Sequence, residues 1–349
     1  MGHSAEHEIF MKRCLQLASL GTGSVSPNPM VGAVLVHEGK VIAEGFHRKY
    51  GNAHAEAECL ASVAEADIYL IPLSTLYVSL EPCNHFGNTP PCTDLIISSG
   101  NRNVVIACRD SNEKVNGSGI KKLQDAGIKV TEGILEKEAL ELNCRFFTFH
   151  RKQRPYIILK WAQTKDGFIG RHKEKTKISG PVTDRLVHSW RSEEAAIMVG
   201  TQTAEEDNPM LTTRLVNGKN PVRIIIDKEL RISEKHHLMA DDLPTIVINT
   251  IRNSDNEIKT YYKVGKDENM LAVILNLLHQ RKLISLIVEG GRDTLQRFID
   301  AGIWDEARII TNNIYLGEGV HAPVLKNAGI YKTENNFTET IDYLKNATG

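Results

Sequence analysis

Apolar positions recur at helical spacing from residue 6 to residue 20, at Ile9, Phe10, Cys14, Leu17 and Ala18, and predict an opening helix. PNPMVGAVLVHEGKVIAEG then reads as two strands in a hairpin, with Gly39 in its turn. HAEAECLASVAEA predicts a helix, and STLYVSLEPC a strand that runs into a loop or helix start. TDLIISSG is helical and stops on Gly100. NVVIAC is a strand, GIKKLQDAG a helix and IKVTEG a strand. This alternation predicts a sheet sandwiched by helices.

The pattern breaks near residues 145 to 155, at RFFTFHRKQRP. That short basic stretch, closed by Pro155, is the candidate linker between a first domain over 1–149 and a second over 150–349. Beyond it a second α/β series begins. Its strands are PYIILKWA, AAIMVG, PVRIIID, TIVIN and LISLIVEGG, and helices such as VTDRLVHSWRSEE and NMLAVILNLLHQRK lie between several of them. Nearly continuous apolar strands predict a largely parallel, buried sheet.

Composition narrows the function classes. The 349 residues suit two domains, and 41% hydrophobic with 24% charged residues suits a folded chain. The net charge of −1 offers no general attraction for nucleic acid or an anionic membrane. No apolar run is long enough to span a bilayer. MGHSAEHEIFMKRC carries charges where a secretory signal needs an apolar core, and Glu6 stands where a myristoylation pattern needs Ser or Thr. The expected location is the cytoplasm. There, the six cysteines (Cys14, Cys59, Cys83, Cys92, Cys108 and Cys144) are expected as thiols, some free to bind metal.

HAEAEC and EPCNHFGNTPPC concentrate metal-capable side chains. A catalytic zinc site needs three protein ligands and an open position for water. His54, Cys83 and Cys92 can supply the three. Glu56, two residues from His54, is the candidate proton carrier between zinc-bound hydroxide and a leaving amine. Zinc deaminases carry His-x-Glu followed by Pro-Cys-x-x-Cys. Here His54-Ala55-Glu56 and Pro82-Cys83 match, but eight residues separate Cys83 from Cys92. A structural zinc is the competing reading, with Cys59 or His85 as a fourth ligand. A plain deaminase of a free nucleotide, nucleoside or RNA base is another, with the second half serving only to bind. RNA is disfavoured by the neutral charge.

PNPMVGAV, HAEAECL, SLEPCNHFGNTPPCTDLI and VVIACRDSNEKVNGSGIKKLQDAGIKV together resemble the bacterial bifunctional riboflavin biosynthesis deaminase–reductases. PYIILKWAQTKDGFIG, TAEEDNPMLTTR, PVRIIID and IVEGGRDTLQRFIDAGIWDE resemble the reductase half of that family. The resemblance implies a cytidine-deaminase-like α/β/α sandwich followed by a dihydrofolate-reductase-like α/β domain. It implies two successive reactions. The first removes the 2-amino group of 2,5-diamino-6-(5-phosphoribosylamino)pyrimidin-4(3H)-one. The second uses NADPH to reduce the ribosyl group of 5-amino-6-(5-phosphoribosylamino)uracil to ribityl. It also implies one Zn2+ per chain on His54, Cys83 and Cys92, with Glu56 as proton donor and acceptor. Partners would be phosphorylated pyrimidines and further copies of the chain, as a dimer or tetramer, with neither nucleic acid nor membrane.

By the same resemblance, Asn28 and His47 would hold the pyrimidine or its ribose, and His85 and Asn88 match substrate-side positions. Ala162, Lys177, Thr203 and Asp207 fall where the family contacts NADPH, and Gly290, Gly291, Arg292, Asp293 and Thr294 open a helix suited to a cofactor phosphate. Lys175, Arg191, Leu211, Arg214 and Glu289 fall on substrate positions, the two arginines suiting a phosphate. Three departures bear on affinity rather than on the reaction. Asn88 replaces a usually basic residue, Ala53 a usual proline, and Lys175-Thr176-Lys177 a usual Ser-x-Trp.

Overall fold

Helix α1 (His3–Ser19) leads into the expected hairpin of β1 (Gly32–His37) and β2 (Lys40–Phe46). Its turn holds Glu38 at φ 47° and Gly39 at φ 75°. Two successive positive φ values match a tight turn to the twist of its strands. The structure is a computed structural model that describes residues 3–86, 90–111, 117–172, 174, 176–256 and 258–347. Two units emerge, Met1–Gln153 and Arg154–Gly349.

The first unit continues with α2 (Ala55–Ala61), β3 (Thr75–Val78), α3 (Cys92–Ser98), β4 (Asn103–Ile106), α4 (Ser118–Asp125), β5 (Lys129–Glu132), α5 (Glu136–Leu142) and α6 (Cys144–Lys152). Its sheet runs β2-β1-β3-β4-β5. β1 is antiparallel to both its neighbours, and β3, β4 and β5 are parallel. Alternate strand residues point to opposite faces. Ala33, Leu35, Leu76 and Val104 therefore pack with Cys59, Ile96 and Leu123 of α2, α3 and α4. Val34, Val36, Tyr77 and Val105 pack with Met11, Cys14 and Ala139 of α1 and α5. Helices cover both faces, as the alternation predicted.

Two boundaries differ from the sequence reading. α2 ends at Ala61 rather than running on through Ala66. Ser62 Oγ lies 2.8 Å from the Cys59 carbonyl and 3.0 Å from that of Glu44, and the chain resumes as a 3-10 helix over Glu65–Leu73. The stretch expected as a linker is mostly helix α6. Its charges suggested exposure, but Phe146, Phe147 and Phe149 are buried, and Phe146 and Phe147 join the core beside Ala139. Gln153, at φ 53°, ends that helix.

The second unit comprises β6 (Tyr156–Thr164), β7 (Phe168–Gly170), α7 (Pro181–Glu193), β8 (Ala196–Gly200), α8 (Thr201–Asp207), β9 (Val222–Ile226), α9 (His237–Ala240), β10 (Thr245–Asn249), β11 (Ser254–Asp255), β12 (Lys259–Lys263), α10 (Met270–Gln280), β13 (Ser285–Val288), α11 (Arg292–Asp300), β14 (Glu306–Asn312), β15 (Val320–His321), β16 (Ala328–Asn336) and β17 (Glu339–Asn346). Its main sheet runs β11-β12-β10-β9-β8-β13-β6-β14-β17-β16. From β12 to β14 every pairing is parallel, as the apolar runs predicted. The C-terminal hairpin adds two antiparallel strands that the apolar pattern did not reveal, because β16 is largely exposed. One face packs Leu159, Met198, Leu286 and Leu344 under α10 and α11. Tyr343 points to the other face, where Trp190 of α7 meets it edge-on.

Helix α2 rests unusually close to β2. A Cβ on Gly45 would lie 2.3 Å from the Cys59 amide nitrogen and 2.6 Å from the Ala55 carbonyl oxygen. Gly45→Ala must therefore push the helix away, and such overpacking costs about 1–3 kcal/mol. Native-state hydrogen exchange should show the amides of α2 and β2 opening more easily by that amount. Unchanged protection would mean the helix does not sit this close.

Candidate metal centre and candidate cofactor cleft

In the first unit, His54 is the N-cap residue of α2, and Cys92 is the first residue of α3. His54 Nδ1 faces Cys83 Sγ at 3.5 Å and Cys92 Sγ at 3.3 Å, and the Cys92 amide donates to Cys83 Sγ at 3.3 Å. The three donor atoms lie within 4.8 Å of one another. Among the described residues no other His, Cys, Asp or Glu joins them. Cys59 is buried in the core, where burial pushes its thiol up to about 12. His85 is exposed. One nitrogen and two sulfurs suit zinc, and three ligands leave the fourth position open. The donor set thus fits a catalytic ion, and neither candidate fourth ligand closes it.

Protonation within the triad is uneven. The hydrogen bond from Cys92 holds Cys83 down to about 4 against the effect of burial, with help from His54 and the Cys92 amide. Cys92 is correspondingly pushed far above the ordinary thiol range. A dication would replace the shared proton and stabilise both thiolates. Glu56, 3% exposed, lies beside this pair. Burial and then the Cys83 charge push its carboxyl up to about 7. A group near neutrality can both take and give a proton.

Side chains around the triad are fixed largely by backbone carbonyls and amides. His47 Nδ1 lies 2.9 Å from the Ala53 carbonyl, which can only accept, so this nitrogen carries the proton. His47 Nε2 is then free to accept from Asn28 Nδ2 at 3.2 Å. Burial lowers the His47 pKa, which keeps the ring neutral. Its edge meets the His54 ring at a centroid distance of 5.5 Å. Because position 53 acts through its carbonyl, alanine there can make this contact as proline would. Asn143 clamps the Asn28 loop, accepting from Met30 N and donating to Met30 O, both at 2.8 Å. Glu81 accepts from the amides of Gly117, Gly119, Ile120 and Asp110 at 2.9–3.3 Å, tying the start of α4 to the strand end before Cys83. Neither residue was singled out in the sequence, since their partners lie in distant segments. Asn88 lies outside the described residues.

The second unit contains a cleft of about 1890 Å³. Ala162 of β6, Thr203 and Asp207 of α8, and Leu211 line it, with Leu211 held at φ 54°. Gly291, Arg292, Asp293 and Thr294 at the start of α11 form another wall, and Lys177 a further one. Gly290 is buried behind the wall, where a Cβ would meet Thr203 Cγ2 at 2.8 Å. A Cβ on Gly200 would meet Thr294 Oγ1 at 2.5 Å, and Gly291 adopts φ 69° as the α11 N-cap. This bare-backbone cradle fits a dinucleotide phosphate. Lys177 is held by Asp184 at 2.8 Å. Lys175 lies outside the described residues.

Glu289 lies at the centre of the cleft's charge network. Arg191, in the last turn of α7, grips it through Nε at 2.7 Å and Nη2 at 2.8 Å, and Lys160 approaches at 3.5 Å. Arg191 also donates to the Thr212 carbonyl at 3.1 Å. The two arginines expected at a phosphate are therefore not equivalent. Arg191 is turned to Glu289, while Arg214 is exposed, bonded to Thr212 Oγ1 and not part of the cleft wall. Burial favours protonated Glu289, but Arg191 and Lys160 outweigh it and hold the carboxyl at about 2. Lys160 had escaped the sequence reading inside an apolar strand.

Each of the two units is similar to known proteins. Residues 4–108 match the cytidine and deoxycytidylate deaminase zinc-binding region, and residues 155–343 match the RibD C-terminal domain. The chain is 42% identical to the riboflavin biosynthesis protein RibD of Aquifex aeolicus over 318 residues, 89% of this chain and 88% of the relative. It is 37% identical to that of Actinobacillus pleuropneumoniae over 306 residues, 84% of this chain and 80% of the relative. A crystal structure of a diaminohydroxyphosphoribosylaminopyrimidine deaminase/5-amino-6-(5-phosphoribosylamino)uracil reductase from Thermotoga maritima superposes with a TM-score of 0.88. It is 36% identical and covers 99% of this chain and 100% of its own.

Two outcomes test this geometry. The parent chain should carry about one zinc, and a Cys83→Ala/Cys92→Ala chain none, while Cys59→Ala keeps it. Stoichiometric zinc in the double variant, by elemental analysis, would refute the ligand set. The second outcome concerns acid. Glu289 is depressed from 4.5 to about 2, so its stabilisation is complete above about 4.5 and lost as pH falls through about 2. The shift corresponds to about 3 kcal/mol. Glu289→Gln should remove that component of the pH dependence of urea unfolding. Fluorescence of Trp161, Trp190 and Trp304 reports it, since all three lie in the second unit. Identical acid limbs in parent and variant would show that the pair is not charged.

Proposed function

This chain belongs to the RibD family of riboflavin biosynthesis proteins, and on that premise we propose which of its residues carry each of the two reactions. It is a bifunctional enzyme, a zinc-dependent deaminase joined to an NADPH-dependent reductase. Its fold combines a cytidine-deaminase-like unit with a dihydrofolate-reductase-like one. In our reading, residues 1–149 deaminate 2,5-diamino-6-(5-phosphoribosylamino)pyrimidin-4(3H)-one. Residues 150–349 reduce the ribosyl group of 5-amino-6-(5-phosphoribosylamino)uracil to ribityl.

The observation that carries the first assignment is a buried carboxyl, poised near neutrality, beside an open His-Cys-Cys triad. His54, Cys83 and Cys92 would hold zinc, which lowers the pKa of bound water to about 7 and supplies hydroxide. Glu56 would take the water proton on its carboxylate and return it to the departing amine. Asn28, oriented by neutral His47, would offer a fixed amide to the pyrimidine or its ribose. His85 and Asn88 would also meet the substrate.

In the reductase unit, NADPH supplies hydride when bound. Ala162, Thr203 and Asp207 would position its nicotinamide half, and Gly291 to Thr294 its phosphates, with Gly290 allowing their close approach. Lys177 would join this set on release from Asp184. Glu289, kept ionised by Arg191 and Lys160, would accept hydrogen bonds from substrate hydroxyls beside Leu211. Exposed Arg214 would turn toward the substrate phosphate, and Lys175 would join the substrate set.

A homo-oligomer, dimer or tetramer, in the cytoplasm completes the proposal. The outer strand β16, with Ile330 60% and Tyr331 52% exposed, supports a face for a second copy. Among the described residues no helix is long and apolar enough to cross a membrane.

Glu56→Gln keeps size and hydrogen bonding but cannot carry the proton. It should retain zinc and lose deamination by about 10²–10⁴-fold. NADPH oxidation with supplied deaminated substrate, followed by absorbance, should be unchanged. Loss of both activities together would refute two separable sites.

A further inference from the structure

Asn28 meets His47 through one bond, Nδ2 to Nε2 at 3.2 Å. One bond sets a distance, but it does not fix the backbone that carries the amide. That backbone has few fastenings of its own. Pro27 and Pro29 flank Asn28 and bring no N–H, so the segment Pro27–Met30 has only the amides of Asn28 and Met30 to donate. The Asn28 amide stays within the loop and donates to the Val25 carbonyl at 2.9 Å. The segment also lies before Gly32, where β1 and its ladder begin. What holds Asn28 in place must therefore act on Met30.

Asn143 acts there, from 113 residues away in the chain. Its side chain exchanges two bonds with Met30, accepting from the amide and donating to the carbonyl, both at 2.8 Å. Two residues facing each other across an antiparallel ladder trade the same pair of bonds. Only one orientation of the side-chain amide satisfies both, because a peptide N–H can only donate and a carbonyl can only accept. Asn143 thus gives the proline-flanked segment the pairing that a neighbouring strand would give.

Asn143 itself is fixed. It is 2% exposed, at the corner where α5 ends and α6 begins. Its amide donates to the Ala139 carbonyl at 3.2 Å, and its carbonyl accepts from the Phe147 amide at 3.0 Å. Ala139 and Phe147 pack in one core with Val34 and Val36 of β1. The corner is therefore seated on the same sheet as the loop it holds.

We propose that Asn143 is a positioning residue of the deaminase, which acts through Met30 to place Asn28 and so sets the affinity for the pyrimidine substrate. The proposal rests on the reading of Asn28 above and adds a residue outside it. Met30 is only half-buried, so water can take over its two bonds when the Asn143 amide is removed. The loop then loosens while the unit stays folded.

The test follows ammonia release by the zinc-loaded full chain, with zinc content and NADPH oxidation measured on the same samples. Asn143→Ala should raise the deaminase KM about tenfold and change kcat much less, since a contact made equally in ground and transition states is lost. Zinc should stay, and NADPH oxidation with supplied deaminated substrate should be unchanged. Asn143→Asp keeps the shape but sets an oxygen against the Met30 carbonyl, and it should raise KM as well. A double variant separates positioning from general support. Asn28→Ala alone should raise KM, and Asn143→Ala added to it should cost about twofold or less, because both act through one contact. A further rise of about tenfold in that background, or an unchanged KM in Asn143→Ala, would overturn the proposal. Loss of zinc from both Asn143 variants would make the residue a structural support and overturn it too. Normal deamination by Asn28→Ala would instead strike the reading of Asn28, and this proposal with it.

Discussion

At Gly45 there is no room for a side chain, because the backbone of α2 lies against that of β2. This contact sets how far His54 and Glu56 stand from the sheet, and hence whether they can meet Cys83 and Cys92 at the start of α3. The reductase unit has the same constraint. Gly200 and Gly290 let the first turns of α8 and α11 approach each other, and any Cβ would fill the space between them. In both units the chemistry gathers where helices begin at the ends of strands, and close backbone packing decides the distances.

Two buried glutamates show how neighbours select a role. Glu56 and Glu289 are both removed from water, and burial alone would raise both. Buried beside the Cys83 thiolate, Glu56 is driven to about 7, where a carboxyl can both take and give a proton. Between Arg191 and Lys160, Glu289 is held at about 2 and stays an anion. The residue type is the same, and the sign of the nearest charge separates the outcomes.

Much of the architecture was legible in the chain. The hairpin at Gly39, the helix stop at Gly100 and the parallel strands of the second unit all follow from local pattern. The pattern misled where side-chain chemistry was mixed. RFFTFHRKQRP looked like a linker because its charges and proline dominate, yet its three phenylalanines are buried on a helix. β16 went unnoticed because it is polar and exposed, and its pairing with β17 depends on backbone bonds that no side chain announces.

The donor types were fixed by sequence alone. A histidine and a glutamate two apart, with two cysteines beyond a proline, offer the donors of a soft metal site and a candidate proton carrier, because ligand chemistry belongs to the side chains. Family resemblance then supplied the reactions. Tertiary structure decided which candidates meet. It set Cys59 into the core and His85 at the surface, so that among the described residues three candidate ligands come together. It also paired Arg191 with Glu289, 98 residues away in the chain. Local sequence cannot encode such choices, since charge pairing and burial depend on segments that only the fold brings together.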